Sequence, residues 1–367
     1  MPYSDFQDLG KNAKKLAPIS TEAITSLKEN LPKLLNLVDE KFAVDARYCC
    51  DKEVADQQRI LKDCNGHFGR MFLAVCQFQL FESLVNEFSW FITTLSRRGF
   101  KRTHFEKFLD TWIASIHGIL GPSPARELVQ PLRFLKINLP LFLEVDISAA
   151  DRPQNETILK LVRLLLEKKR REASEFALAT LANKHVSSVE DFFTAVLAPS
   201  LQFIGRLWQV NKISAADEHA ATEIWRYIIF RLFDSLPREK LSAARALVSC
   251  VEGEEHTLAG ELISEYFNLK GWLTHFIGRS APRDDIVQAA VTSKPDVIFL
   301  SVTLVSNLPH AQDLANVLKK NLPQAKIIFG GRAALVGRDV LSMSSDAVVP
   351  DLKSGFLKAL EMVDSDA

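Results

Sequence analysis

An acidic residue and a histidine stand two positions apart, directly after a short apolar run. The run covers residues 246–251, and Gly253, Glu254 and His256 follow it. A metal-bound imidazole commonly needs a carboxylate on its other ring nitrogen, which fixes the tautomer and raises the basicity of the ligand. The spacing supplies that pair locally, so it predicts a metal ligand at His256 supported by Glu254. The alternative is that His256 only caps a helix or lies on the surface.

Alternating strands and helices are expected from residue 244 onward, because five short apolar runs are separated by helical segments. The runs lie at residues 246–251, 273–277, 297–302, 326–329 and 347–349. This alternation is typical of a doubly wound parallel sheet, in which ligands bind beyond the carboxyl ends of the strands. The first loop matches neither GxGxxG nor GxxxxGK[ST], so a nucleotide phosphate is not expected there.

The first loop resembles that of the cobalamin-binding domain family, which carries Asp-x-His-x-x-Gly. Glu254 stands for the acid, and His256 stands for the histidine that ligates cobalt from below. Ala259 occupies the glycine position, and Gly260 follows one place later. In that family the cofactor's own base swings away on its nucleotide tail and inserts beside the sheet. The resemblance therefore implies a bound cobalamin with Gly260 near its tail.

The later strand ends match the same family. Ser301 and Thr303 resemble its Ser-x-Thr segment, and Gly330 and Gly331, followed by Arg332, resemble its Gly-Gly segment. The resemblance implies that the two hydroxyls donate hydrogen bonds to the tail base and that the glycines admit the tail without a Cβ in the way. The alternatives are hydroxyls that only satisfy the backbone and a glycine turn.

The segment at residues 188–229 resembles the four-helix cap that covers the upper face of cobalamin. The spacing of Trp208, followed after nine residues by Glu218 and His219, is that of light-sensing adenosylcobalamin repressors. The resemblance implies that Trp208 packs against the upper axial group and that Glu218 binds the ribose hydroxyls, with His219 on the same polar face. The repressors carry a histidine after this tryptophan. Gln209 stands there, so a bis-histidine product through that position is not expected.

The N-terminal region is aromatic and helical, and its layout is similar to that of photocobilins. These bacterial proteins pair a cobalamin domain with a helical, globin-like domain that binds a bilin. The resemblance implies a candidate site for biliverdin, with Cys64, His67 and Cys76 as the first residues to test. A haem held by a histidine and a plain aromatic core are the alternatives. The region is not basic enough for a helix-turn-helix, so direct DNA binding is not expected.

The composition limits the classes of protein to consider. The 45 basic and 45 acidic residues balance, so nothing global favours nucleic acid or an anionic membrane. Five cysteines without a CxxC pair are expected to be reduced thiols. Without an apolar span or a signal peptide, a cytoplasmic protein is expected.

The predicted fold is multidomain, α plus α/β. Residues 1–150 are expected to form a helical domain, for which the resemblance to photocobilins implies a globin-like fold. Residues 156–238 are expected to form a four-helix cap and residues 244–367 a Rossmann-like domain, with a linker near 146–157.

The leading hypothesis is a light-responsive sensor that holds adenosylcobalamin between the cap and the Rossmann-like domain, and that acts as a homo-oligomer or on a regulated partner. The alternative is a corrinoid methyl carrier, in which the same histidine tunes cobalt for methyl transfer. A third hypothesis is a degenerate domain that binds haem or nothing and serves protein interaction. No barrel domain or catalytic triad is recognised, so we expect a protein that is not itself an enzyme.

Overall fold

The structure, a computed structural model, describes residues 3–45, 54–144, 153–182 and 188–364. Contacts divide the chain into two compact units, of which the first holds residues 1–150 and 209–211 and the second holds the remainder. The predicted linker lies mostly outside the described residues. Its described end caps a helix, since the Asn155 side chain accepts the Thr157 N–H at 2.8 Å.

The described part of the first unit contains seven α-helices, which confirms the helical prediction for this region. They are α1 (Tyr3–Ala13), α2 (Thr21–Asp45), α3 (Val54–Phe78), α4 (Phe81–Ser96), α5 (Arg102–Ile119), α6 (Pro122–Ile137) and α7 (Leu139–Glu144). The Phe68 ring lies 4.8 Å from Phe108 and 5.2 Å from Trp112, centroid to centroid. All three side chains are buried. Phe68, Phe108 and Trp112 therefore belong to the core of this bundle.

Further helices fill the region that resembles a cap. They are α8 (Glu156–Leu166), α9 (Arg170–Ala182), α10 (Val189–Phe192), α11 (Ala198–Gln209) and α12 (Ala215–Asp234), with a π-helical turn between α10 and α11. A capping box fixes the start of α12: Ser214 Oγ accepts the Asp217 N–H at 3.1 Å, and the Asp217 carboxylate accepts the Ser214 N–H at 3.2 Å. Glu218 therefore lies in the first turn of a well-anchored helix.

All five apolar runs form strands of one parallel sheet, as predicted. The strands are β1 (Arg245–Cys250), β2 (Leu273–Phe276), β3 (Val297–Ser301), β4 (Lys326–Gly330) and β5 (Ala347–Val348), in the order β2-β1-β3-β4-β5. Cys250 is paired with Ser301, and Ser301 with Gly330, so three strand ends lie side by side. The chain order reverses between β1 and β3. This switch point is where parallel α/β sheets bind ligands.

Helices connect the strands and pack on the sheet. They are α13 (Leu258–Leu269), α14 (Arg283–Ser293), α15 (Leu308–Asn321), α16 (Arg332–Val336), α17 (Arg338–Leu341) and α18 (Leu352–Asp364). A Cβ at Gly260, in the first turn of α13, would lie 2.9 Å from Phe276 Cε2. Gly260 therefore lets α13 approach β2 closely. Among the described residues, no helix combines the length and apolar character needed to cross a membrane.

Candidate functional site

The loop after β1 holds Glu254 and His256 in direct contact. Glu254 is fully buried and its Oε1 lies 2.5 Å from His256 Nδ1, while the His256 side chain is 57% exposed. The same oxygen accepts the His256 main-chain N–H at 3.1 Å. A carboxylate on Nδ1 stabilises the tautomer whose Nε2 carries the lone pair. Nε2 has no hydrogen-bond partner among the described residues, so the imidazole presents a metal-ligating atom to the outside.

The second oxygen of Glu254 binds the loop after β3. Oε2 accepts the main-chain N–H groups of Thr303 at 2.8 Å and Leu304 at 3.2 Å, and Nδ2 of Asn307 at 3.1 Å. Asn307 also donates to the Gly253 carbonyl at 3.2 Å. The buried charge is thus met by several donors, as a buried carboxylate requires. Asn307 is not predictable from the sequence, because nothing near it in the chain marks it as a partner of Glu254.

These contacts shift both pKa values. Burial alone would raise the pKa of Glu254, but the hydrogen bonds from His256 and from the Thr303 amide outweigh it, and the pKa falls to about 2. The hydrogen bond to Glu254 raises the pKa of His256, although burial opposes it. Glu254 is therefore ionised at neutral pH. A proton competes with a metal for Nε2 of His256, so metal binding is expected to weaken as the pH falls.

Two further charges lie within electrostatic reach of His256. Glu218 of α12 raises the pKa of His256, and Arg332 at the start of α16 lowers it. Glu218 accepts a hydrogen bond from Thr222 Oγ1 at 3.1 Å, and its other oxygen lies 2.8 Å from Nδ1 of the exposed His219. The second unit thus brings Glu218, Arg332 and His256 into one electrostatic environment.

Trp208 and Gln209, the other two residues considered for the cap, belong to different units of the chain. Trp208 is partly buried and belongs to the second unit. Gln209 is buried and belongs to the first unit, where its main-chain carbonyl accepts Arg98 Nη1 at 3.2 Å. A role for either residue at a cofactor stays a prediction.

A bridge joins α12 to the start of α13, immediately after His256. Arg226 Nε lies 2.6 Å from Glu261 Oε2, and its Nη2 donates to Thr257 Oγ1 at 3.1 Å. Thr257 Oγ1 in turn donates to Glu261 Oε1 at 2.8 Å. The pair is mostly shielded from solvent, with 26% of the Arg226 side chain and 14% of that of Glu261 exposed. The region that carries Glu218 is therefore held against the helix that follows the ligand loop.

A narrow cavity of ≈ 20 Å³ lies between the sheet and its covering helices, beside Ser301 and Gly330. Ser301 Oγ is buried and has no hydrogen-bond partner in the described part of the chain. A Cβ at Gly330 would have only Val349 Cγ2 within 4.0 Å, so this wall is open. Gly331 has φ +103°, and a Cβ there would lie 2.4 Å from the Val302 carbonyl oxygen.

The lining of this cavity is mostly apolar, but it includes the Ser301 hydroxyl, which has no partner among the described residues, and the small residues Gly330 and Gly355. Its volume admits about one water molecule. Insertion of a ring system would therefore have to move α18 or α13 away from the sheet. The hydroxyl at Ser301 would then gain the hydrogen bond that it lacks.

The three residues suggested for a second chromophore all lie on α3. Cys64 and His67 are one helical turn apart, whereas Cys76 is nine residues, or about 14 Å of helix, beyond His67. Burial raises the pKa of Cys76, and burial together with Asp63 raises that of Cys64 to about 11. These shifts disfavour the thiolate needed for a covalent bond. The structure thus brings Cys64 and His67 together but not Cys76.

Comparison with known families adds to this geometry. Residues 244–351 match a family model described as B12 binding domain, and residues 158–232 match a second model of the same description. The chain carries B12-binding domains. The first of these covers β1 to β5, including Glu254, His256, Ser301 and Gly330. The second covers most of α8 to α12, including Trp208 and Glu218. The two matches support cobalamin as the ligand.

A repressor and a corrinoid protein are among the relatives of this chain. The chain is 25% identical over 144 residues to the HTH-type transcriptional repressor CarH of Myxococcus xanthus, which covers 39% of the chain and 47% of the repressor. It is 25% identical over 142 residues to dimethylamine corrinoid protein 1 of Methanosarcina acetivorans, which covers 38% of the chain and 67% of that protein. The matched region thus spans about half the length of the repressor.

Among solved structures, the monomethylamine corrinoid protein of Methanosarcina barkeri aligns at 18% identity with a TM-score of 0.49. The alignment covers 56% of the chain and 98% of that protein.

Proposed function

We propose that this protein is a light-responsive regulatory protein, not itself an enzyme, that binds adenosylcobalamin between the α8–α12 region and the parallel sheet. The observation that carries the proposal is the Glu254–His256 pair, which fixes Nδ1 and leaves Nε2 for a metal. Glu218, from the facing helix α12, acts electrostatically on the same imidazole. One site thus has a ligand below it and a carboxylate from a second element beside it.

The lower side of the cofactor is assigned to the sheet. His256 would ligate the cobalt, and the loop that holds it is fixed by the donors that bind Glu254. The tail would enter beside Gly330, where the unpartnered Ser301 hydroxyl is available to a ring nitrogen. Gly331 would approach the tail with its main chain alone, because a Cβ at this position would collide with the Val302 carbonyl.

The upper side is assigned to α11 and α12. A carboxylate accepts several hydrogen bonds, so Glu218 retains capacity for ribose hydroxyls beside its contacts to Thr222 and His219. Trp208 offers an apolar ring against an axial group. The resemblance of the Trp208 and Glu218 spacing to that of adenosylcobalamin repressors supports an adenosyl group over a smaller one.

A light response follows from the chemistry of the cofactor and the bridge between α12 and α13. Adenosylcobalamin supplies a weak cobalt–carbon bond that light can break. Loss of the upper group would remove its contacts with Trp208 and Glu218. Arg226 of α12 donates a hydrogen bond to Thr257, which is next to His256, so a movement of α12 would also move the ligand loop. A two-state switch needs such a coupling between the two elements.

The proposal is tested by absorption spectra of the full chain reconstituted in the dark with adenosylcobalamin and recorded again after green light. His256→Ala is the test variant, and His275→Ala, an exposed histidine on β2, is its matched control. We expect a bound spectrum that changes irreversibly with light in the wild type and the control, and weaker binding or a base-on spectrum in His256→Ala. A wild type that binds without any light-dependent change contradicts the sensor role.

A corrinoid methyl carrier is the second candidate. The share of each relative that aligns with this chain favours the carrier: the alignments span 67% and 77% of two dimethylamine corrinoid proteins but only 47% of the CarH repressor. It predicts tight binding of methylcobalamin and methyl transfer with a partner methyltransferase. A stronger affinity for adenosylcobalamin than for methylcobalamin, lost in Trp208→Ala, would contradict the carrier and support the sensor.

Output through the first unit, either to a regulated protein or between copies of the chain, completes the proposal. A bilin bound in this unit is a separate part of the proposal, and only the similarity of layout to photocobilins supports it. Biliverdin added to the same samples tests it. A far-red absorption band that Cys64→Ala or His67→Ala alters would support the bilin, and an unchanged free-biliverdin spectrum would remove it.

A further inference from the structure

The nine residues between Trp208 and Glu218 do not all belong to the second unit. Residues 209–211 pack as part of the first unit, and the chain returns to the second unit at Lys212. The connection between the two residues assigned to the upper face of the cofactor therefore passes through the first unit. A displacement at the upper face can reach the first unit along the chain itself.

The end of α11 is closed by hydrogen bonds that include this connection. Asn211 has φ 59°, in the left-handed region that asparagine tolerates. The Lys212 N–H donates to the Leu207 carbonyl at 2.8 Å. A left-handed residue followed by such a bond back into the last turn is the Schellman motif. Trp208 and Asn211 thus belong to one hydrogen-bonded helix end, so a shift of Trp208 also shifts Asn211.

Three hydrogen bonds join this helix end to α4 and to the residues that follow α4. Arg98 Nη1 donates to the Gln209 carbonyl at 3.2 Å, and Asn211 Nδ2 donates to the Arg97 carbonyl at 3.1 Å. A longer bond of 3.5 Å runs from Gln209 Nε2 to the Trp90 carbonyl. The last carbonyls of a helix have no partner within the helix. The segment 209–211 thus supplies a donor to the end of α4.

Arg98 connects the segment to the last turn of α4. The same Nη1 that binds the Gln209 carbonyl also donates to the Thr94 carbonyl at 2.7 Å. Gln209 is only 6% exposed, so its contacts are shielded from water. Loss of a shielded hydrogen bond is not fully compensated by solvent. The last turn of α4 is therefore expected to loosen when the segment moves.

We propose that residues 209–211 transmit the state of the upper axial group to the C-terminal end of α4. This transmission rests on the proposed function, in which Trp208 and Glu218 contact an adenosyl group. While that group is in place, Trp208 holds the end of α11, and the hydrogen bonds of Asn211 and Arg98 are intact. Without the group, the end of α11 shifts, these bonds weaken, and the last turn of α4 opens more often.

The test is hydrogen exchange of the full chain, read by mass spectrometry in peptides that cover residues 92–100. The chain is loaded in the dark with adenosylcobalamin or with hydroxocobalamin, whose upper ligand is small, and the adenosylcobalamin sample is measured again after green light. Absorption spectra of the same samples show which cobalamin is bound. Comparing two cobalamins in the dark separates the transmission from the response to light.

The test variant combines Asn211→Gly with Arg98→Met. Glycine suits the left-handed conformation and removes the amide, and methionine keeps an unbranched apolar side chain without the guanidinium. Arg102→Met is the matched control, since Arg102 is 58% exposed and pairs with Glu106 of the same helix at 3.0 Å. Asn211→Gly alone removes only the contact with the Arg97 carbonyl.

We expect the last turn of α4 in the wild type and in Arg102→Met to exchange about fivefold faster with hydroxocobalamin than with adenosylcobalamin, the effect of about one lost hydrogen bond. Light should produce the same increase in the adenosylcobalamin sample. The double variant should give wild-type absorption spectra, but its α4 should exchange at the faster rate with both cobalamins. Asn211→Gly alone should show a smaller difference between the two cobalamins than the wild type.

Equal exchange of α4 with the two cobalamins in the wild type overturns the transmission, even where the absorption changes with light. A wild-type difference that persists in the double variant, or at full size in Asn211→Gly, overturns it as well. A bound adenosylcobalamin that does not respond to light, together with exchange that differs between the two cobalamins, contradicts the light response and supports the transmission. A wild type that binds neither cobalamin contradicts both.

Discussion

Replacing Glu254 by glutamine should destabilise the second unit and reverse the tautomer of His256. The amide oxygen can accept from the Thr303 and Leu304 N–H groups, which turns the amide NH₂ towards His256 Nδ1. Nδ1 must then accept, so the ring proton moves to Nε2 and blocks the ligating atom. The variant is therefore expected both to unfold more easily and to bind cobalamin more weakly.

The magnitude follows from the pKa of Glu254, which falls from an ordinary 4.5 to about 2 in the folded protein. That difference corresponds to about 3 kcal/mol between the ionised and neutral forms. The carboxyl group is fully buried, so solvent screening does not reduce it. We expect Glu254→Gln to lower the free energy of unfolding by about 3 kcal/mol at pH 7.

The pH dependence has a defined sign. Because the folded pKa is lowered, the stabilisation by Glu254 is complete above about pH 4.5 and is lost as the pH falls towards 2. The raised pKa of His256 acts in the opposite direction: its stabilisation is complete below pH 6.5 and is lost as the pH rises through the folded value. Wild type and Glu254→Gln should therefore converge at acid pH.

Urea unfolding of the protein without cobalamin, between pH 3 and 7, measures this difference. Hydrogen exchange of peptides from β1 and β3 reports the second unit separately from the first. Glu255→Gln is the matched control, since Glu255 is 63% exposed and lies 3.5 Å from Arg279, a pair expected to contribute little. Equal effects of the two substitutions at pH 7 would contradict the expected stabilisation by the Glu254 carboxylate.

Three other substitutions test separate parts of the site. Ser301→Ala should weaken cobalamin binding by about tenfold in a titration while leaving the thermal midpoint of the unloaded protein unchanged, because the hydroxyl has no hydrogen-bond partner in the part of the chain that the structure describes. Gly331→Ala should destabilise the protein by more than about 1 kcal/mol in urea unfolding, whereas Gly99→Ala, also at positive φ but with open space around it, should cost less. Arg226→Ala should remove the contacts of α12 with Thr257 and Glu261 and thereby increase hydrogen exchange in α12. Unchanged exchange would show that these contacts do not hold α12 in place.

The elements that position the site could be predicted from the sequence. Most of the strands are short, buried apolar runs, and the pattern changes to a helical period after each of the first four strands, so the positions of all five strands are predictable from the sequence. The strand boundaries differ from the predicted ranges by one residue, and α13 begins only at Leu258, because Glu254 holds the His256 main-chain N–H in the loop. The Glu254–His256 contact was also predictable, since a spacing of two residues brings the side chains together without help from the fold.

Contacts between distant segments could not be predicted in this way. Asn307 reaches Glu254 across 53 positions, and the Thr303 contribution is a main-chain N–H, which no side-chain pattern marks. Arg226 and Glu261 meet only because α12 lies against α13. Gly260, which follows the expected glycine position by one place, is explained by its close approach to Phe276.

The most direct test is to measure whether His256 is the lower ligand of the bound cobalamin. Cobalamin bound to the wild type in the dark should show the spectrum of histidine ligation, and His256→Ala should lose it or bind more weakly, with His275→Ala unchanged. An unchanged spectrum and affinity in His256→Ala would contradict the assignment of His256 as the lower cobalt ligand.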